Sequence, residues 1–333
     1  MARKRKGDPV NGWVIVDKPA GIGSTPAVNQ VRRSFNARKA GHAGTLDPFA
    51  SGVLPIALGE ATKTMTHIVD GLKTYEFTVA WGTETDTLDI DGQVVATSPV
   101  RPDRAAIEAA LPDFIGTIDQ VPPAYSAIKV DGQRAYDLAR SGETPELASR
   151  QVEVIDLALI NMPDADHARF TMTCGKGTYV RAIGRDLAKK LGTVAHISLL
   201  RRTRVGPFKA ENAVPLAEFT VEKTDENAGE ASFSPEAPIS LEALGENAHK
   251  AARQRHLLPL QAALDGIPAI ALSEAEAMRL RNGQAVSLLR KLDLERVNGM
   301  GPGDIVLATL AGNALAMVRF EKGALHPVRL FNL

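Results

Sequence analysis

Tyr75-Glu-Phe-Thr-Val-Ala-Trp81 alternates large apolar side chains with Glu76, Thr78 and Ala80. That two-residue period marks a strand with one buried face, because successive side chains leave a strand on opposite sides. Upstream, Trp13-Val-Ile-Val-Asp17 is a short apolar run closed by Lys18-Pro-Ala-Gly21, which reads as a buried strand entering a turn. Ala27, Val28, Val31 and Phe35 then form a helical face beside Arg32 and Arg33. Downstream, residues 102–111 read as a helix, Pro122-Pro123 as a loop, and 152–160 and 170–174 as strands. Val180, Ile183, Leu187 and Leu191 return to helical spacing. Strands and helices mix without a steady alternation, so the pattern predicts an α+β fold with a mixed, mainly antiparallel central sheet.

Between Thr220 and Asn247, seven acids stand against one base, Lys223, among Ser, Pro, Gly and Ala. This stretch reads as an exposed acidic insertion. Apolar residues return at Leu257–Leu264. Beyond Pro268 come a helix near 273–280, a turn at Asn282-Gly283, and short strands near 305–310, 314–320 and 328–330. The expected organisation is a large domain over residues 1–267, with the insertion at about 220–247, and a small β-rich domain over 268–333.

The 333 residues are 44% hydrophobic and 23% charged, ordinary globular usage. Net charge is zero, but with the insertion at −6 the rest of the chain carries +6, a balance compatible with RNA. A single cysteine, Cys174, excludes an internal disulfide and a cysteine zinc site. No apolar run approaches the ~18 residues a membrane span needs. The basic start, Met1 to Gly7, meets Asp8, Pro9 and Asn11 rather than an apolar stretch. No secretory signal is read there, and the expected compartment is the cytoplasm.

Two segments concentrate chemistry. Gly41-His-Ala-Gly-Thr-Leu-Asp47-Pro-Phe-Ala-Ser-Gly-Val-Leu-Pro55 packs glycines and prolines around one carboxylate. Pro48 pushes Asp47 toward extended backbone, and glycines permit close approach of a ligand. A carboxylate needs no partner base to act as a nucleophile. An ordinary Asp-Pro turn is the competing reading, and composition alone favours it. The second segment, Gly175-Lys-Gly-Thr-Tyr-Val-Arg181, leads from a strand into the helix that begins near Val180, with Arg181, Arg185 and Lys189 as a basic stripe. A cation in a first helical turn opposes the helix dipole, so Arg181 calls for an anionic partner, although a solvated face would give the same spacing. Tyr75 is either a sheet aromatic or a stacking platform for a base. Lys18 reads as a surface lysine. Arg201, Arg202 and Arg204, and the N-terminal Arg3–Lys6 run, could contact phosphates, which position an RNA without reading it. The dinucleotide, phosphate-loop and Gly-x-Ser-x-Gly patterns are absent, and the seven histidines show no metal-ligand spacing.

Taken in chain order, these strings resemble the TruB-type tRNA pseudouridine-55 synthases. The resemblance rests on Gly12–Gly21, Lys39–Pro48 with Ser51–Pro55, Gly59–Lys63, Lys73–Tyr75, Gly82–Thr87, Pro123–Lys129, Gly175–Arg181 and Leu200–Arg202. It covers roughly the first 205 residues and weakens beyond about residue 256. It implies a pseudouridine-synthase fold followed by a small PUA-like RNA-binding domain. It also implies isomerisation of a flipped-out T-loop uridine of tRNA, with neither cofactor nor metal. By the same resemblance, Asp47 is the catalytic carboxylate. Tyr75 is the tyrosine that stacks on the base and assists proton removal, and Arg181 is the aspartate's partner. His42 fills the space the base leaves, Tyr179 and Leu200 line the pocket, and Lys18 supports it. Lys129 and Arg202 fall within the matching motifs and are expected on the substrate. A monomer acting on the T arm without an obligatory protein partner is expected. The alternatives are a guide-dependent relative acting on another RNA, a non-catalytic tRNA-binding or folding module, and an aspartate hydrolase. The last would need a second carboxylate. Asp86, Asp89 and Asp91 can be nominated, but nothing in the sequence pairs them with Asp47.

Overall fold

The structure is a computed structural model that describes residues 7–126, 129–130, 133–134, 147–220, 253–288, 291–297 and 299–333. The Arg3–Lys6 run and, apart from Thr220, the acidic stretch 220–247 lie outside them. Residues 12–215 are organised by a ten-stranded sheet of β1 (Gly12–Lys18), β2 (Ala40–His42), β3 (Ser51–Leu58), β4 (Lys73–Trp81), β7 (Gly116–Gln120), β10 (Arg150–Asn161), β11 (His167–Cys174), β12 (Ala195–Val205), β13 (Phe208–Lys209) and β14 (Val214–Pro215). Its order is β14-β1-β3-β12-β4-β11-β10-β7, with β2 on β3 and β13 on β12. Only β1–β14 and β3–β12 run parallel, so the sheet is mixed and mainly antiparallel. Among the described residues two short strand pairs lie apart from it, β5 (Thr83–Thr85) with β6 (Val94–Thr97), and β8 (Lys129–Val130) with β9 (Gln133–Arg134).

Helices cover one face of the sheet. Phe77, Val79, Phe170, Met172 and Ile197 pack with Ala27 and Val31 of α1 (Ser24–Ser34) and with Ile183 and Leu187 of a long helix at Val180–Lys190. Phe77 and Phe170 stack at 5.4 Å across β4 and β11. Burial of such a side chain stabilises by about 2–3 kcal/mol, so the alternation along β4 follows from this one-sided core. Among the described residues two short helices come between in the chain, α2 (Met65–Asp70) and α3 (Arg104–Ala110), so the Val180–Lys190 helix is labelled α4.

Two strands differ from the sequence-based expectation. The segment expected as a loop through Pro55 gives way at Ser51 to β3, buried along nearly its whole length between β1 on one side and β2 and β12 on the other. Pro55 fits because its carbonyl accepts from Ala43 N–H at the rim of β2, so its nitrogen faces that rim too. The arginines 201–204, expected as a phosphate-contacting patch, lie in β12, which pairs with β4. Its register shifts between Ile197 and Leu199 and again between Arg202 and Arg204. Such bulges break the two-residue period and turn Arg202 inward.

A separate five-stranded sheet follows, in the order β15-β17-β18-β19-β16. Its strands are β15 (Ala269–Ala271), β16 (Val286–Ser287), β17 (Ile305–Leu310), β18 (Asn313–Glu321) and β19 (Ala324–Leu330). Helix α5 (Glu274–Arg281) covers it, started by a capping box in which Ser273 and Glu276 satisfy each other's backbone N–H. Leu307, Met317 and Phe331 pack against Trp13 and Val53 of the first sheet and Ile68 of α2. Lys63 Nζ donates to Leu330 O and Asn332 N donates to Glu60, both at 2.8 Å. Among the described residues no helix is long and apolar enough to cross a membrane.

Candidate active site

Asp47 sits on a loop whose backbone is held at nearly every peptide. Arg202 donates to the carbonyls of Gly44 at 2.9 Å and Thr45 at 3.2 Å. The Ser24 hydroxyl bonds both the N–H and the carbonyl of Leu46, at 2.8 and 2.9 Å. Asp47 O accepts from Ala50 N at 3.1 Å, and Pro48 O accepts from Gly21 N at 2.8 Å and from Lys18 Nζ at 3.4 Å. A carboxylate on a loop pinned in this way is pre-aimed, which is what precise chemistry requires. Gly52 makes the arrangement possible. Its φ is +103°, and a Cβ there would lie 2.2 Å from the carbonyl oxygen of Arg202.

Arg181 provides the anionic pairing that its place in α4 demanded. Its Nη2 lies 3.0 Å from Asp47 Oδ2, and its Nη1 lies 3.2 Å from Asp89 Oδ2. The same arms donate to Tyr125 O at 2.8 Å and to Thr87 O at 2.7 Å. The Arg181 side chain is 4% exposed and that of Asp47 is 35% exposed, so the carboxylate faces solvent with a buried cation behind it. Burial pushes the Asp89 carboxyl above the usual carboxylate range, against the pull of Thr87 and Arg181.

The open side of Asp47 belongs to a cavity of about 840 Å³. Asp47, Tyr75, Tyr179, Arg181, Leu200 and Arg202 line it together with Lys73, Asp86, Thr87 and Asp89. Tyr75 is half-buried on β4, and burial raises its hydroxyl above the ordinary phenol value while the Arg202 charge works the other way. The volume suits one nucleotide-sized guest. Among the described residues no group of His, Cys, Asp and Glu is gathered to hold a metal.

Residues 32–180 match the TruB family pseudouridylate synthase N-terminal domain, and 181–265 match the tRNA pseudouridylate synthase B C-terminal domain. The chain is 50% identical to the tRNA pseudouridine synthase B of Caulobacter vibrioides, over the whole of both. It is 46% identical to the protein of that name from Rhodospirillum rubrum, again over the full length of both. The chain belongs to the TruB family of pseudouridylate synthases. Two solved structures share its fold. One is a Cbf5–Nop10–Gar1 complex, with TM-score 0.68 and 21% identity over 96% of this chain and 85% of that one. The other is an H/ACA RNP bound to a substrate RNA containing 2'-deoxyuridine, with TM-score 0.68 and 19% identity over all of this chain and 92% of that one.

Not every residue that the TruB resemblance nominated stands where a substrate contact would put it. Arg202 is 1% exposed and spends its donors on the Gly44, Thr45 and Val53 carbonyls. It buttresses the Asp47 loop from below while lining the cavity. Lys18 is likewise no surface lysine. It is fully buried, donates to Pro19, Ile22 and Pro48 carbonyls, and is pulled down to about 8 by burial, with Asp47 opposing and Arg202 assisting. Lys18 and His42 are not among the residues lining the cavity. His42 is half-buried on β2, where burial and the Arg202 charge lower its pKa. For Lys129 only its place in β8 is described. Ser24, and the pairing of Asp89, escaped the sequence reading. Ser24 carried no signal beyond its place at the start of a helix. Asp89 was nominated only as an unpaired carboxylate, and Arg181 is what joins it to Asp47.

Proposed function

We propose that this pseudouridine synthase isomerises the T-loop uridine at position 55 of tRNA, with Asp47 as the essential carboxylate. The observation that carries the reading is the pinned Asp47 loop, with Arg181 behind the carboxylate and Tyr75 lining the same cavity. The uridine must leave its stack to reach this depth, at a cost of a few kcal/mol. Asp47 then supplies an electron pair to the sugar or the base, and the C1′–N1 bond breaks. The uracil rotates, C5 bonds to C1′, the bond to Asp47 breaks and returns its electron pair to the carboxylate, the C5 proton leaves and N1 gains one, so atoms and charge balance without any cofactor. Tyr75 stacks on the base and assists removal of that proton. Its hydroxyl is protonated at rest, because burial outweighs the pull of the Arg202 charge beside it. Arg181 balances the carboxylate as its charge moves. Tyr179 and Leu200 bound the base, and His42 occupies the gap it leaves in the tRNA.

The full-length relatives at 46–50% identity carry the name tRNA pseudouridine synthase B, which supports tRNA as the substrate. The structures solved as complexes stand near 20% identity and share the fold alone, so they carry no partner over to this chain, and we read it as a stand-alone monomer working on the T arm. We place its action in the cytoplasm and divide the chain into a catalytic domain through residue 267 and a PUA-like domain, a second RNA-binding surface, from 268. The test follows pseudouridine formation in an unmodified tRNA transcript for the wild type and Asp47→Asn, with tRNA binding measured beside it. Product at the T-loop uridine only in the wild type, with binding kept by the variant, supports the reading. Equal activity in both removes Asp47 from the chemistry, and binding without product in either favours a non-catalytic tRNA-binding module.

A further inference from the structure

Gln120 on β7 stands directly opposite Arg150 on β10. Paired in this way, their side chains leave the sheet on one face, and both reach the turn that leads into α4. Gln120 is fully buried. Its amide makes a reciprocal pair with the backbone of Tyr179: the N–H donates to Oε1 at 2.8 Å, and Nε2 donates to the carbonyl at 3.2 Å. Arg150 donates from Nη2 to the Gly177 carbonyl and lays its guanidinium 5.0 Å from the centre of the Tyr179 ring.

The position they grip is a pivot. Tyr179 is the N-cap of α4, with extended backbone at φ −105° and ψ 116°, and its side chain makes no capping bond. Two residues earlier, Gly177 has φ +84°, a conformation that side-chain-bearing residues rarely adopt. Helical backbone starts at Val180 and brings Arg181 within its first turn. A rotation at the Tyr179 peptide therefore swings two parts of the site together: the Tyr179 ring, which lines the cavity, and Arg181, which holds Asp47.

We propose that Gln120 and Arg150 are positioning residues, a cross-strand clamp on residues 177–179 that sets Tyr179 against the substrate base and keeps Arg181 on Asp47. The substrate part rests on the function proposed above; the geometry of the clamp does not. A Gln that merely satisfies a buried helix end would change stability without changing the reaction in the folded protein. A clamp changes the chemical step.

The test compares Gln120→Ala, Gln120→Glu, Arg150→Ala and Arg150→Lys by single-turnover isomerisation of a tRNA transcript and by tRNA affinity. Displacing a catalytic group by an ångström costs up to about a hundredfold in rate. The Ala variants are expected to lose about tenfold to a hundredfold in the single-turnover constant with tRNA affinity retained. Gln120→Glu keeps the acceptor for Tyr179 N–H, and Arg150→Lys keeps a cation over the ring, so each is expected to recover part of the rate. Wild-type rates in the folded Ala variants would overturn the clamp, as would a loss confined to affinity. If Gln120→Ala does not fold, Arg150→Ala carries the test, because Arg150 is only half-buried. If the wild type makes no pseudouridine, the functional reading fails and the crystal structure of Arg150→Ala decides the clamp. A displaced Tyr179 ring with Arg181 withdrawn from Asp47 supports it, and an unmoved pair at 3.0 Å overturns it.

Discussion

Arg181 holds Asp47 with one arm and Asp89 with the other, at 3.0 and 3.2 Å, so two carboxylates far apart in the chain share one buried guanidinium. Their roles differ by environment. Asp47 opens to the cavity, whereas Asp89 is almost closed off, with 6% of its side chain exposed. Burial dominates at Asp89, so its ionised form is held at a cost that its neighbours only partly offset.

That balance separates stability from activity in Asp89→Asn. The neutral isostere no longer carries the desolvation cost, and Asp47 still balances Arg181, so the melting temperature is expected to stay within a few degrees of wild type. Arg181 keeps Thr87 O but loses the charged one of its two anchors on the Nη1 side, and the single-turnover rate is expected to fall about tenfold. Thermal unfolding and single-turnover kinetics on the same preparation check both halves. An unchanged rate would show that Asp47 alone positions Arg181.

Ser24→Ala removes the hydroxyl that serves both polar groups of Leu46. Ser24 is 4% exposed, so the orphaned groups have little access to water. A buried group left without its partner costs about 1–3 kcal/mol. The denaturant midpoint is expected to drop accordingly, and the rate to drop with it, since Leu46 adjoins Asp47. Loss of stability with full activity in the folded fraction would mean that Arg202 and Lys18 alone aim the loop.

What could be read from the chain, and what could not, divides along physical lines. The alternation from Tyr75 to Trp81 is visible because only one face of β4 packs on helices, and the stripe from Val180 to Leu191 is visible for the same reason. β3 is hidden because both its faces are covered and Pro55 interrupts it. β12 is hidden because its register shifts bring an arginine to the interior. At the site, the Gly and Pro density around Asp47 and the poor electrostatic placing of Arg181 are local features that sequence displays. The donors that pin the loop, Ser24, Lys18 and Arg202, come from three separate elements, and only folding brings them together.

Lys18 links pH to activity and to stability with opposite signs. Its folded pKa of about 8 lies below the ordinary 10.5, mainly through burial. The native state therefore sheds this proton before the unfolded chain does, so the group's contribution to stability grows as pH rises from about 8 toward 10.5. Activity goes the other way. The neutral amine has fewer hydrogens for its three carbonyl partners, and the positive charge near Asp47 is gone. The wild-type rate is expected to fall along an alkaline limb near pH 8, and Lys18→Met to show a lower plateau without that limb. A limb that persists in Lys18→Met would assign it to another group.

Glu276 and Arg296 tie the C-terminal sheet to pH in the opposite range. Arg296 bonds both Glu276 oxygens, at 2.9 and 3.1 Å, and its hydrogen bond is the main cause holding the carboxyl down at about 2 instead of 4.5. A depressed folded pKa contributes stability that is present above about 4.5 and is lost as pH falls toward 2. The pair is partly solvated, so its contribution is expected at about 1 kcal/mol after screening. Glu276 also closes the capping box of α5, and Glu276→Gln keeps an acceptor for Ser273 N–H while losing the charge. The variant should therefore melt below wild type at pH 7, with the gap narrowing as the pH is lowered from 4.5. Unfolding followed by a probe confined to the C-terminal sheet, from pH 7 down to pH 3, measures that gap. A gap independent of pH would assign the loss to the cap rather than to the ion pair.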